Sequence, residues 1–360
     1  MNEKLRQKII DRKQKGTIRS LSVFEGNIDF CSNNYLGLHS TEEHLNCQFP
    51  ATGSRLISGT TATSLECEKL LAEHFGSEAA LFFNSGYTAN LGFFSCVPQK
   101  GDVVLYDADI HASVRDGLRL SLAKSFAFAH NDVVDLERLL EKQVGTIYVV
   151  VESLYSMGGD FSPLGAILQL CKQYGAKLIV DEAHSIGVFG GKGKGVLHHV
   201  QNIDDVLLAK VITFGKAFGA HGAAILCSAE MKEYLVNFSR PFIYTTAPSE
   251  QTFKRVAQLI LDESIPERQG KLQEVIIAFR ANLPEASLAS EFNSPIQMIR
   301  FKERENLKNC VTAVTEKGMN VKAIYAPTVL EEKEGLRVSL HAFNSVEQAR
   351  RLAEIVNEYI

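Results

Sequence analysis

The stretch TIYVVVESLYSMGGDFSPLGAILQLCKQYGAKLIVDEAHS, residues 146–185, decides the fold. Its two apolar runs, TIYVVVE and KLIVDE, read as strands buried on both faces, and PLGAILQLCKQYG between them has the length of a crossover helix. Runs of the same kind lie on either side. AALFF, DVVLYD and SFAFA precede the pair, VLLAKVITF and GAAILC follow it, and helix-length segments separate most of them. Short runs apolar on both faces and alternating with helices predict an α/β domain of three layers, a mostly parallel sheet with helices on both sides.

Further out the pattern changes. The first 18 residues have the spacing of a polar amphipathic helix, and residues 19–45 read as an extended arm containing the apolar stretch IDFCSNNYLGL. Beyond Tyr244 a long helical stretch is expected over 249–282. It is followed by strand-like SPIQMIRF, helix-like ENLKNCVTAVTEKG, the strands NVKAIYA and GLRVSLHA, and a closing helix from Ser345. Three parts are predicted: an N-terminal helix and arm over 1–45, a large α/β domain over 46–245 and a smaller α+β domain over 246–360. With no low-complexity linker between the last two, a ligand is expected in the cleft where they meet.

Composition narrows the function classes. The chain has 360 residues, 45% of them hydrophobic and 22% charged, with a formal net charge of −4 and its basic residues dispersed. No electrostatic footprint for nucleic acid follows from this. The charged N-terminal segment lacks the apolar core of a signal peptide, and no apolar run approaches membrane-spanning length. Seven scattered cysteines without CxxC spacing predict a reduced cytoplasmic protein with no structural metal.

In open parallel sheets ligands bind outside the carboxyl ends of the strands, which gives weight to the residues after each run. In TFGKAFG, Lys216 lies among glycines; in KLIVDEAHS, Asp181 ends a strand and His184 follows. A crowded, partly desolvated lysine amine is a usable nucleophile and the usual covalent anchor of pyridoxal phosphate, while a strand-end aspartate can pair with the protonated pyridine nitrogen. His184 could then reach the cofactor's phenolic oxygen. NSGYTAN follows AALFF, and there Ser85, Gly86 and Tyr87 open a helix whose first amides could hold a phosphate, or open a merely capped helix. His111 in ADIHAS could stack on a cofactor ring or be a loop histidine. ESLYSMGGD, with Glu152 and Ser156, is a glycine-containing loop able to approach a ligand or a simple turn. Arg337 in GLRVSL could grip a carboxylate bidentately or face water from an edge strand. The chain lacks GxxxxGK[ST], GxSxG and HExxH motifs, and FGGKGKG reads as a turn rather than a dinucleotide loop. Adjacent His198 and His199 diverge on a helix and read as surface residues.

These residues, with SNNYLGL, GSRLISGT, AHNDVVDLERLL, FIYTT and APTV in order along nearly the whole chain, resemble the α-oxoamine synthases, pyridoxal-phosphate enzymes of fold type I. The resemblance implies that Lys216 carries the cofactor, Asp181 pairs with its ring nitrogen, and His111 stacks on the ring, making these three the catalytic set. It places His184 and Ser156 at the ring oxygen and Ser85, Gly86, Tyr87 and Thr213 on the phosphate side. Thr245 and Thr246 fall where a neighbouring chain would reach the phosphate, so a homodimer is implied. Arg337 and Thr328 match positions near the substrate carboxylate, and Arg19 and Asn33 further substrate contacts. The segment between Leu38 and Gly53 is short for the family and is interrupted by Pro50, which bears on the placement of Arg19 and Asn33. Ser185 stands where glycine is frequent, an addition expected to be tolerated.

The implied substrates are an amino acid and an acyl-coenzyme A thioester, with L-alanine and pimeloyl-coenzyme A the best match. Glycine with acetyl- or succinyl-coenzyme A and serine with palmitoyl-coenzyme A use the same chemistry. A cofactor-binding partner subunit without catalysis is the alternative of another class. A nicotinamide-dependent dehydrogenase would need a dinucleotide fingerprint that this chain lacks.

Overall fold

Each run with both faces apolar becomes a strand. The computed structural model describes residues 10, 14, 28–30, 34–38, 51–203, 205–326 and 329–360. In chain order these form β1 (Ile28–Asp29), α1 (Ala62–Phe75), β2 (Ala79–Phe83), α2 (Gly86–Phe94), β3 (Val103–Asp107), α3 (Ala112–Leu120), β4 (Lys124–Phe128), α4 (Val133–Leu140), β5 (Ile147–Glu152) and α5 (Leu164–Tyr174). There follow β6 (Lys177–Asp181), β7 (Leu207–Thr213), β8 (Ala223–Cys227), α6 (Ala229–Phe238), α7 (Arg240–Ile243), α8 (Glu250–Ile260), α9 (Ile265–Arg280) and β9 (Ile296–Arg300). The chain closes with α10 (Arg304–Glu316), β10 (Met319–Asn320), β11 (Lys322–Ile324), β12 (Gly335–Ser339) and α11 (Val346–Asn357).

The main sheet has the order β2-β8-β7-β6-β5-β3-β4. Strand β8 runs antiparallel to both neighbours and the other pairings are parallel, as the sequence pattern predicts. One face is covered by α2 and α3 through Phe93, Phe94, Val114 and Leu118, and the other by α4 and α5 through Leu136, Leu140, Ile167 and Cys171. Burying both faces is what requires the near-continuous apolar strands. Helices α2 and α3 approach closely at Gly117, where an added Cβ would lie 2.7 Å from the Phe94 side chain. That approach brings the starts of the two helices, and hence Ser85 and His111, to one end of the sheet.

A second sheet, β11-β12-β9, is antiparallel, and β12 is its middle strand. Its residues Ile299, Leu336 and Val338 share one core with Phe82 of β2, with Phe214 just after β7, and with α1, α8, α9, α10 and α11. Phe82 stacks on Phe214 with ring centroids 5.4 Å apart and meets Phe253 of α8 at 4.7 Å. A division near residue 245 is therefore proposed as a division between sheets, since this core crosses it.

The helical stretch expected over 249–282 is corrected to two helices, α8 and α9, interrupted at Leu261–Ser264. Pro266 lies in the first turn of α9, where its missing N–H costs nothing, whereas inside one continuous helix it would break a hydrogen bond. The helix expected over residues 1–18 lies almost wholly outside the described residues. Of the expected arm, the described part is built into the core. Strand β1 pairs in parallel with β10, Phe30 O accepts from Ser339 N at 3.0 Å, and Phe30, Tyr35, Leu36 and Leu38 are fully buried. Among the described residues no helix is long and apolar enough to cross a membrane.

Candidate active site

Four of the parallel strands end on polar residues, and these converge. Strand β3 ends at Asp107, β5 at Glu152, β6 at Asp181 and β7 at Thr213; Glu152 and Asp181 are paired across β5 and β6. Asp181 is buried, and both of its oxygens accept hydrogen bonds, Oδ1 from Ala183 N at 2.9 Å and Oδ2 from Asn90 Nδ2 at 2.8 Å. Asn90 also donates to Ser113 Oγ at 3.0 Å, which joins α2, α3 and the end of β6 in one buried network.

Lys216 follows β7 by a turn. Its surroundings are dense, yet part of its surface stays open to the site, and its Nζ makes no hydrogen bond or ion pair among the described residues. Burial lowers its pKa from 10.5 to about 8, opposed by the charges of Asp181 and Glu152 and helped by Arg337. A lysine so placed is neutral for a useful fraction of the time near neutral pH and can act as nucleophile or base.

Glu152 is fully enclosed, its Oε1 has no hydrogen-bond partner, and burial with repulsion from Asp181 raises its pKa to about 8. His111 caps the start of α3. Its Nδ1 accepts from Ser113 N at 3.2 Å and meets Ser113 Oγ at 2.7 Å, which leaves Nε2 as the protonated nitrogen of the neutral ring. Burial lowers its pKa against the pull of Asp181. His184 is buried, and its Nδ1 lies 2.9 Å from the Tyr35 hydroxyl. Burial first, and then the positive charges of Lys216 and Arg337, hold it well below the ordinary histidine range and keep it neutral.

The helix start predicted to hold an anion is formed. Ser85 caps α2 in a capping box with Thr88, and Gly86 lies against Thr213, where an added Cβ would come within 3.6 Å of the threonine. Of the first-turn amides, Thr88 N is taken by Ser85 Oγ at 3.2 Å, while those of Gly86 and Tyr87 have no acceptor inside the helix and lie beside these residues. Tyr87 is 44% exposed, and its hydroxyl donates to Asp116. Thr245 and Thr246 reach the same corner: Asn84 Nδ2 donates to Thr245 Oγ1 and to Thr246 O, both at 3.1 Å.

Arg337 is buried in the middle strand β12, which rules out the edge strand facing water. Its Nε donates to Ser156 O at 2.7 Å and its Nη1 to Ser339 Oγ at 2.8 Å. The guanidinium is thereby fixed against the loop after β5. A cavity of about 330 Å³ opens beside it, lined by His111, Arg115, Ser156, Met157, Val329 and Lys333. Ser185 is accommodated because its hydroxyl accepts from Ser153 Oγ at 2.8 Å and donates to Glu182 Oε1 at 2.9 Å. His198 and His199 are exposed, as expected. Arg19, Asn33 and Thr328 lie outside the described residues.

Lys216, Asp181, His111, His184, Ser85, Gly86 and Thr213 are thus gathered around one end of the main sheet, with Ser156 and Arg337 on its flank. The donor set fits pyridoxal phosphate: an amine of lowered basicity, a buried carboxylate behind it, a neutral ring nitrogen donor and an open helix start. Sequence reasoning gave no role to Asn90 or Tyr35, although both fall inside motifs it singled out.

Comparison with known proteins agrees with this geometry. The family model described as "Aminotransferase class I and II" matches residues 25–356. The chain is 34% identical to an 8-amino-7-oxononanoate synthase of Emericella nidulans, covering 100% of this chain and 96% of that protein. Among solved structures it resembles a serine palmitoyltransferase variant from S. paucimobilis with bound PLP–myriocin aldimine, at TM-score 0.88 and 26% identity over 99% of this chain and 96% of the other. It also resembles 8-amino-7-oxononanoate synthase from Francisella tularensis, at TM-score 0.78 and 29% identity over 93% and 98%.

Proposed function

Because this chain belongs to the aminotransferase class I and II family, we propose that it condenses L-alanine with pimeloyl-coenzyme A to give 8-amino-7-oxononanoate, a biotin precursor, with release of carbon dioxide and coenzyme A. Within the family it is an α-oxoamine synthase, a pyridoxal-phosphate-dependent acyltransferase. The observation that carries the choice of substrates is the identity of 34% over the full chain with 8-amino-7-oxononanoate synthase. The serine palmitoyltransferase superposes better, at TM-score 0.88 against 0.78, but at lower identity, 26% against 29%. Backbone likeness reports the shared fold, whereas substrate choice rests on side chains, so sequence identity is given more weight.

When bound, pyridoxal phosphate supplies an electron sink for charge that develops at the amino acid's α-carbon. Lys216 would hold it covalently, Asp181 would keep a proton on its ring nitrogen, and the start of α2 with Thr213 would take its phosphate. His111 would lie on the ring, and His184 would donate to the phenolic oxygen. Arg337, already oriented by Ser156 O, would hold the substrate carboxylate. The Lys216 amine is the base placed to take the α-proton, and burial among the site residues lowers its basicity towards the neutral range. The new carbon–carbon bond forms between the α-carbon and the thioester carbonyl, coenzyme A leaves as the thiol, the alanine carboxyl departs as carbon dioxide, and the electron pair left at the α-carbon takes a proton to give the product.

A homodimer is part of the reading. Leu56, Ile57 and Tyr244 are exposed apolar residues, and Gly53 O accepts from Ala247 N, which sets their two segments side by side next to Thr245. An exposed apolar group beside the phosphate corner suits a second copy of the chain. A cytoplasmic location is proposed with it. The experiment is a matrix of alanine, glycine and serine against pimeloyl-, acetyl-, succinyl- and palmitoyl-coenzyme A. Highest kcat/KM for alanine with pimeloyl-coenzyme A supports the proposal; a higher value for any other pair overturns it.

A further inference from the structure

Outside the residues assigned so far, one histidine has a carboxylate at each ring nitrogen. His130 follows β4, with Nδ1 2.8 Å from Asp107 Oδ1 and Nε2 2.7 Å from Asp160 Oδ2. A carboxylate on each ring nitrogen requires both nitrogens to donate, so the ring is an imidazolium. Asn131 repeats the link: its backbone N–H donates to Asp107 Oδ2 at 2.9 Å and its Nδ2 to Asp160 Oδ2 at 2.7 Å. The Tyr155 ring packs edge-on against the imidazole at 4.5 Å.

Each carboxylate belongs to a loop of the site. Asp107 ends β3 and turns the chain towards His111, taking Asp109 N on Oδ1 while its backbone oxygen takes Ile110 N. Asp160 closes the loop after β5: its backbone oxygen accepts from Tyr155 N, and Tyr155 O accepts from Gly159 N. That loop carries Ser156, whose carbonyl orients Arg337, and its far side meets the segment leading into β9, where Glu291 N donates to Gly159 O. We propose that His130 is a positioning residue, a charged clasp between Asp107 and Asp160 that fixes the His111 loop against the Ser156 loop and through it the orientation of Arg337. The other charged groups nearby do not replace it. Asp109 Oδ2 stands 3.8 Å from Nδ1 and is paired with Lys333 at 3.1 Å, and Arg300 lines the cavity onto which Asp160 opens. Burial draws the ring's pKa down, but the hydrogen bonds and charges of Asp107 and Asp160 outweigh it and raise it to about 10, so the clasp is closed throughout the neutral range.

The test uses the full-length, cofactor-loaded enzyme and its His130→Gln and Asp160→Asn variants. Hydrogen–deuterium exchange is followed in peptides spanning residues 107–112 and 154–161, and KM for L-alanine is measured against kcat. The kinetic arm alone rests on the proposed function; should another amino acid prove to be the substrate, its KM is read instead and the exchange arm is unaffected. H130Q is expected to raise exchange in both loops at pH 7 and pH 9 and to raise KM by about tenfold, since small displacements of a positioning group weaken binding and reaction steeply. D160N keeps an acceptor but loses the charge, so its loops should match the wild type at pH 7 and loosen by pH 9, a pH dependence that a purely structural role would not produce. Wild-type exchange in H130Q, loosened loops with unchanged KM, or the same D160N exchange relative to wild type at both pH values would each overturn the clasp. If H130Q does not fold, D160N decides alone.

Discussion

Replacing Lys216 by methionine should make the cofactor-free protein more stable, and by an amount that depends on pH. The folded site holds the lysine's pKa near 8 against 10.5 unperturbed. A shift of this size corresponds to roughly 3 kcal/mol of differential free energy between the charged and neutral amine. The sign follows from proton binding: below pH 8 the amine is protonated in both states, and the folded state bears the full cost of the charge. Above about 10.5 it is neutral in both states and the cost is gone, so wild-type stability gains this contribution as pH rises from 8 to 10.5. K216M carries no amine and retains a stem of similar length. Urea unfolding of both proteins without pyridoxal phosphate should show K216M ahead by about 3 kcal/mol at pH 7, with the margin shrinking steadily above pH 8. Groups with no charge interaction with Lys216, His130 among them, cancel in the difference, whereas Glu152, His111 and His184 feel its charge and contribute to the margin. A margin that does not change with pH, or a K216M protein less stable than wild type at pH 7, would refute the reasoning that the site gives up stability to hold a desolvated amine.

Other changes follow from the same geometry. Glu152→Gln removes a negative neighbour of Lys216, so the lysine should lose its proton at lower pH, read as a downward shift in the acid limb of the rate of pyridoxal-phosphate loading into cofactor-free protein. Gly159→Ala should cost about 2 kcal/mol or more in chemical unfolding and raise KM for the amino acid. Gly159 has φ of 68°, an added Cβ would lie 2.1 Å from Ile296 O, and the residue sits in the loop that orients Arg337. Ser185→Ala should cost about 1–2 kcal/mol with little loss of kcat, because Glu182 loses a buried donor while Lys216, Asp181 and His111 keep their own partners.

Much of the fold is legible because strands covered on both faces cannot hide their pattern. All seven apolar runs from AALFF to GAAILC are strands of the main sheet, and the polar residues ending β3, β5, β6 and β7 form the floor of the site. Lys216, Asp181 and His184 announce themselves as charged or titratable residues beside buried strands. The break at Leu261–Ser264 was signalled by Pro266, but the flanking apolar spacing continues through it and reads as one helix. What a local pattern does not carry is long-range pairing. Tyr35 meets His184 across 149 residues, Asn90 meets Asp181 across 91, and Arg337 meets Ser156 across 181. His130 lay within a motif that marked the family, and its role becomes visible only when Asp107 and Asp160 stand on its two sides.

The central claim, that Lys216 and Arg337 serve a decarboxylating condensation of L-alanine with pimeloyl-coenzyme A, is tested most directly by isotope. Enzyme loaded with pyridoxal phosphate is given pimeloyl-coenzyme A and alanine labelled with carbon-13 either at the carboxyl carbon or at the α-carbon. The account predicts that the carboxyl label leaves entirely as carbon dioxide while the α-carbon label is retained in 8-amino-7-oxononanoate, with one free coenzyme A thiol per product. Retention of the carboxyl label in the product, or coenzyme A release without labelled carbon dioxide, would contradict it.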